Sequence, residues 1–282
     1  MTGKSLPTCL DQIERFFRKR KIQIDQIAFY NRPEFIAAER SDPSFLEFYA
    51  AYVRLRNRDA AYDAHVRSLV PRAVSALAAE IKRDGQKGVC IDASMILMKV
   101  LELHGVWSYG SNGALTIHSP KLTSPTHFWP MDVEQVAGHV WLVAPPFEII
   151  DVSLICQAYF RGEENFLPDY LVAETGRRIT PEATDYCSSE VLARARRHYG
   201  PLPKDIHFRL DPDLKRRVEF FPPYEIVSRN AKLHYCAGGI SASDAPDLQA
   251  ITSRRWNGLL ASELYERTIN PALAGADAAS AP

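Results

Sequence analysis

Residues 88–105, GVCIDASMILMKVLELHG, decide how this chain folds. A glycine-bearing turn over 83–89 leads into Cys90. From there to Leu103 apolar residues cover nearly the whole helical circumference, from Ile91 and Ala93 through Ile96 and Leu97 to Val100 and Leu101. A helix that is apolar all round belongs in an interior. The stretch therefore predicts a long buried helix over 90–103. Gly105 closes it, at a position where the chain turns left-handed without a Cβ penalty.

Upstream, residues 10–82 read mainly as helix, with apolar residues at three- and four-residue steps in Phe45, Phe48, Tyr49, Tyr52 and Leu55 and in Val70, Val74, Leu77 and Ile81. Asn31-Arg32-Pro33 marks a break, because the residue before proline is pushed out of the helical region. Ser41-Asp42-Pro43 reads as a cap followed by an N1 proline. Downstream the period changes. Short strand-like runs at 106–109, 114–117, 140–143 and 147–152 are separated by Gly, Ser, Asn and Pro clusters. The Ser-, Thr- and Pro-rich segment 118–132, which carries His127, reads as a surface loop.

A serine cap, arginines in the last turns and Gly200 as stop predict a helix over 189–199. Runs at 206–210, 218–221, 224–227 and 232–236 read as strands, interrupted by Pro222-Pro223. The expected class is α+β. Helical additions occupy 1–82, the core 83–240, a helical segment 241–270 and a disordered tail 271–282.

The 282 residues carry 34 basic and 34 acidic side chains, so no long-range field concentrates the chain on nucleic acid. The basic run of Arg15 and residues 18–21 reads as a solvated helix face. No stretch of about 18 apolar residues occurs, and no membrane association is expected. Five cysteines without paired spacing point to free thiols and a cytoplasmic, reducing location. Cys9, Cys156, Cys187 and Cys236 lack C-x-x-C spacing and histidines in ligand register, and no Walker-type loop is present. Neither a metal nor a cofactor is expected.

Chemistry is expected at Cys90. A thiol at a helix start feels the positive end of the backbone dipole and unpaired N–H groups, both favouring thiolate. The same N–H groups can stabilise an oxyanion. A base is offered by the hairpin of 138–143 and 147–152. Folded about Pro145, it sets His139 directly opposite Asp151, with Cβ atoms roughly 4.5–5.5 Å apart. Such an aspartate fixes the tautomer of the histidine and stabilises the imidazolium.

Other residues are weaker candidates for this chemistry. His104 lies about 21 Å along the helix from Cys90, too far for proton transfer. His127 is held in reserve as a substrate contact, Gln86 as an oxyanion donor, and Trp141, set opposite Ile149, as a wall that lowers the dielectric of the site. Asp92 stabilises the first helical turn. The remaining histidines, His234 among them, read as surface or packing residues.

Residues 86–153 resemble the core of the transglutaminase-like superfamily, related to the papain-like thiol enzymes. The matching text is Gly88-Val89-Cys90-Ile91-Asp92-Ala93-Ser94, Leu103-His104-Gly105-Val106, Gly138-His139-Val140-Trp141 and Ile150-Asp151. The resemblance implies a Cys90-His139-Asp151 triad and a central helix packed on an antiparallel sheet. It also implies acyl-transfer chemistry on a protein or other peptide or amide substrate. Hydrolysis is the leading expectation. Transfer to an amine, or a non-catalytic interaction module that keeps the fold, are the alternatives.

Overall fold

A computed structural model describes residues 6–133, 138–157 and 166–274. Helices come first: α1 (Leu10–Arg18), a 3-10 turn (Phe29–Asn31), α2 (Pro33–Ser41), α3 (Phe45–Leu55), α4 (Ala60–Asp84) and α5 (Cys90–Leu103). Then follow β1 (Tyr109–His118), β2 (Thr126–Phe128), β3 (His139–Ala144), β4 (Phe147–Asp151), β5 (Leu171–Ala173) and β6 (Arg177–Arg178). Four more helices come next: α6 (Ala183–Tyr186), α7 (Ser189–Tyr199), α8 (Ile206–Leu210) and α9 (Pro212–Phe220). They lead to β7 (Tyr224–Ser228) and β8 (Ala231–Ser241). The chain closes on α10 (Ala261–Leu264), a π turn (Tyr265–Ile269) and α11 (Asn270–Ala274).

The strands form one antiparallel sheet in the order β5-β4-β3-β1-β8-β7-β6, with β2 paired to the far end of β1. The fold is therefore α+β, as the sequence leads one to expect. Strand β1 is its spine: its first half pairs with β3 and its second half with β2, while β8 runs along the other edge.

Helix α5 packs on β1 and β3 and on α4. It buries Ile96, Leu97, Met98, Val100 and Leu101, each worth about 1.5–3 kcal/mol relative to exposure. Leu97→Ala would cost about 2–5 kcal/mol. Lys99 is also buried on this helix. Its ammonium is held by Glu102 at 2.8 Å and by the Tyr30 hydroxyl at 3.0 Å, which pins α5 to the N-terminal helices. Those helices meet in an aromatic cluster around Phe17 and Phe29. One buried apolar cluster runs from them through the sheet to Leu264 and Leu273.

Several local expectations are corrected. Residues 206–210 form helix α8 and 218–220 end helix α9, with Phe221 its C-cap, so neither run is a strand. Asp211 caps the Asp213 N–H with Pro212 at N1, a helix-start signal that outweighs the β-branched and aromatic residues nearby. The runs at 106–109 and 114–117 belong to a single segment ending in the ten-residue β1, which begins at Tyr109. Gly113 sits inside that strand because a Cβ there would collide with the Cys236 carbonyl at a bulge in β8.

Part of the expected 118–132 loop is strand β2, placing His127 opposite Thr116. Helix α3 starts at Phe45 rather than at Pro43, after a turn in which Asp42 accepts from the Ser44 N–H. In the expected helical segment 241–270, Ser241 ends β8 and helix begins only at Ala261. Residues 271–274, expected in the tail, are helical. Residues 275–282 lie outside the described residues.

Candidate active site

Helix α5 begins at Cys90, as predicted, and Gly88 in the turn before it has φ 67°. That left-handed turn lets the Gly88 N–H donate to the Cys156 carbonyl at 2.8 Å. The bond ties the start of the helix to the segment following β4. Ser94 on the next turn points its hydroxyl at the Val140 carbonyl, 3.5 Å away on β3. The N–H groups of Cys90, Ile91 and Asp92 donate to none of the described residues, so the positive end of α5 is open beside the thiol. Asp92 accepts from Ser253 and from Arg254, at 2.9 and 3.0 Å.

His139 and Asp151 meet, in a register different from the expected one. The hairpin turns on the two residues Pro145 and Pro146, pairing Ala144 with Phe147. The ladder then shifts so that Leu142 faces Ile150. The shift places His139 diagonally from Asp151 instead of directly opposite, on the same sheet face, a distance that long side chains span. His139 Nε2 lies 2.6 Å from Asp151 Oδ2, and both side chains are completely buried. Two further donors hold the carboxylate: the Tyr235 hydroxyl on Oδ2 at 2.8 Å and the Ser153 N–H on Oδ1 at 3.1 Å.

With Nε2 engaged, Nδ1 is the ring nitrogen turned away from Asp151, and the Cys90 thiol lies close enough for thiol and imidazole each to shift the other's ionisation. The Gln157 amide nitrogen lies 3.3 Å from Nδ1 and donates to the Ser153 carbonyl at 2.9 Å.

Charge follows from this arrangement. Burial alone would push the His139 pKa down, but Asp151's charge and hydrogen bond, with Cys90 beside it, bring it up to about 10. Burial likewise works against the Cys90 thiolate. The hydrogen bond and charge of His139, with a bond from the Val140 backbone, outweigh it and lower the thiol below its ordinary value, against Asp151. Cys156 and Cys187 move the other way, to about 11, and burial pushes Cys236 well up. Among these cysteines Cys90 alone is set for nucleophilic chemistry.

Trp141 stands beside the pair, and the ladder that sets Leu142 against Ile150 puts it opposite Asp151 instead of Ile149. Its ring lies near-parallel to His139 at 6.3 Å and edge-on to Tyr235 at 5.2 Å. Gln86 is not aimed at the thiol: its amide donates to the Arg255 carbonyl at 2.9 Å and accepts from Arg254. His127 lies elsewhere on the sheet, stacked on Trp129 and 3.1 Å from the Thr116 hydroxyl. His104 faces the Tyr265 hydroxyl at 3.0 Å. Among the described residues no cluster of three or more His, Cys, Asp or Glu side chains is placed to hold a metal ion. Likewise no helix there is long and apolar enough to cross a membrane.

Sequence reasoning missed Tyr235 and Gln157. Tyr235 is 84 positions from Asp151 and arrives from another strand. Gln157 follows the aspartate closely but lies beyond the hairpin, where no periodic signal points.

Beside His139 a cavity of about 300 Å³ opens between α5 and the sheet, with Ile91, Met95, Met98 and Leu142 on its walls. Comparison of the chain with protein-family models, with curated proteins and with solved structures yields no match.

Proposed function

We propose that this chain is a thiol-dependent acyl-transfer enzyme of the transglutaminase-like type that hydrolyses a peptide or amide bond. Cys90 is its nucleophile, His139 its general base and acid, and Asp151 the residue that orients the histidine. The observation carrying this reading is the buried His139–Asp151 pair at 2.6 Å, set against the one cysteine whose pKa falls.

The Cys90 thiolate attacks the carbonyl carbon, forming a C–S bond, while the open N–H groups of the α5 start face the developing oxyanion. The C–N bond then breaks, and the imidazolium of His139 gives its proton to the departing amine. Water attacks the resulting thioester, losing a proton to His139. The C–S bond breaks, and the acid leaves with the thiol restored as its ion pair. Asp151 keeps the proton on Nε2 throughout. A reducing, cytoplasmic setting is part of the proposal, supported by five free cysteines.

The test is alkylation by iodoacetamide near neutral pH, with each modified cysteine located by mass spectrometry. Cys90 is expected to react first, and its advantage to vanish in His139→Ala. Reaction no faster than at Cys187 or Cys236, with no effect of that substitution, would remove the enzyme reading.

A further inference from the structure

Helix α5 is buried along most of its length, yet one face of its first turns is left uncovered. Ile91 is 60% exposed and Met95 half-buried. Met98, at i+7 on the same face of the helix whose first residue is Cys90, is buried and lines the inner end of the cavity they border. That face looks across the cavity at Leu142 on β3 and at the chain leaving β8, and His139 is part of the cavity wall.

The walls are apolar, and two of them are unbranched methionines that adapt to varied shapes. At the β8 side lies Ser243, 1% exposed, lining the same cavity, with no hydrogen-bond partner for its Oγ. A buried hydroxyl without a partner is costly unless something arrives to meet it. The volume, about 300 Å³, is several times the ~30 Å³ a water takes in the liquid.

We infer that this cavity is the acyl-side specificity pocket. It takes the leucine- or phenylalanine-sized side chain of a peptidyl substrate, whose adjoining backbone carbonyl accepts from the Ser243 hydroxyl. The inference rests on the thiol-enzyme reading and names its substrate class. Small or charged acyl groups leave that face wet and Ser243 unmet, and they are turned over poorly.

The test uses matched peptidyl vinyl sulfones, which alkylate a thiolate, carrying leucine, phenylalanine, glycine or aspartate at either of the two positions before the reactive group. For each protein the rate at Cys90 is divided by its rate with iodoacetamide, which needs the thiolate but not the cavity. In the wild type the leucine or phenylalanine probe should exceed the glycine probe by about tenfold or more, since even one methylene in an apolar pocket discriminates about 10–200-fold.

Met98→Trp fills the cavity and should remove most of that advantage. Ile91→Gln, at an exposed position where folding is not at stake, should lower it severalfold. Ser243→Ala should lower the rate of every peptidyl probe relative to iodoacetamide. Equal ratios for all four side chains in a wild type whose Cys90 still outpaces Cys187 with iodoacetamide would overturn the pocket and leave the thiol enzyme standing. Slow reaction with iodoacetamide itself would overturn both.

Discussion

Two histidine–carboxylate groupings share this sheet, and they differ in the one respect that matters for catalysis. His139 and Asp151 are sealed at 0% exposure, 2.6 Å apart, with a thiol near enough to help raise the histidine's pKa. At the far half of β1, His234 lies 3.4 Å from Asp185 and 3.3 Å from Glu225, and the three are 20%, 7% and 9% exposed. His127, Thr116, His234, Glu225 and Arg177 form a cross-strand row there, from β2 to β6. Asp185's hydrogen bond and charge and those of Glu225 raise the His234 pKa, against burial, while burial lowers His118 and His127. That row holds charge but presents no activated nucleophile: Cys236, the nearest thiol in sequence, is buried and its pKa is pushed up. A histidine beside a carboxylate is a common structural device. A depressed thiol at an open helix start makes it a candidate for chemistry.

The sharpest way to break the contrast is to delete the two carboxylates. Asp151→Ala leaves a buried imidazolium and the Tyr235 hydroxyl without an acceptor and should cost about 3–5 kcal/mol in denaturant unfolding. Asp185→Ala loses a capping bond and the Thr116 contact and should cost about 1–2 kcal/mol. Equal costs would erase the distinction.

Next, His139→Ala should slow Cys90 alkylation at pH 6 by up to about 100-fold, since an ordinary thiol of pKa about 8.5 is well under 1% ionised there. His234→Ala should leave that rate alone.

A third step, Tyr235→Phe, removes one donor from the Asp151 carboxylate and should lower stability by roughly 1.5–3 kcal/mol. Fluorescence-monitored unfolding in urea would read it, with the Cys90 advantage over Cys187 retained.

The smallest effect is on pH dependence. His139 has its pKa raised to about 10, so its contribution is complete below about 6.5 and is lost as pH climbs through 10. Cys90 is lowered, so its contribution is complete above about 8.5 and is lost as pH falls. Above about pH 8.5 the thiol is ionised in both states and only the histidine slope remains, so stability should fall with rising pH from there to about pH 10, on the order of 1 kcal/mol per pH unit. His139→Gln should flatten this alkaline limb in thermal melts. A wild type with no alkaline limb would show that the imidazole is not held charged.

Helix α5 was legible because its cues are local: a turn ending in Gly88, an unbroken apolar run and Gly105 with φ 77° at its close. The hairpin was legible for the same reason, but its register was not. Whether two or three residues turn at Ala144-Pro145-Pro146, and where the ladder shifts, depends on how the strands twist against their neighbours. The runs 206–210 and 218–221 read as strands by their aromatic and β-branched content, which the Asp211-Pro212 helix start overrides. His127 reads as a substrate contact from its place in a loop, and Gln86 as an oxyanion donor from its place in the turn before Cys90. Their partners, Trp129 and Thr116 for one and Arg254 and Arg255 for the other, hold them away from that role.

By itself, then, the sequence determined the thiol at a helix start, the histidine and aspartate on adjacent strands, and the α+β class, since each depends on residues within one element or one turn. Only the tertiary structure decided that the helix start meets the hairpin. The Gly88–Cys156 bond ties the helix start to the segment leaving the hairpin, and the Tyr235–Asp151 bond ties β8 to the hairpin itself. Those contacts join residues 68 and 84 positions apart, a separation at which no helical or strand period survives. What brings them together is burial of α5 against the sheet, a non-directional force that leaves its pattern in the composition of each surface and none in the spacing between them.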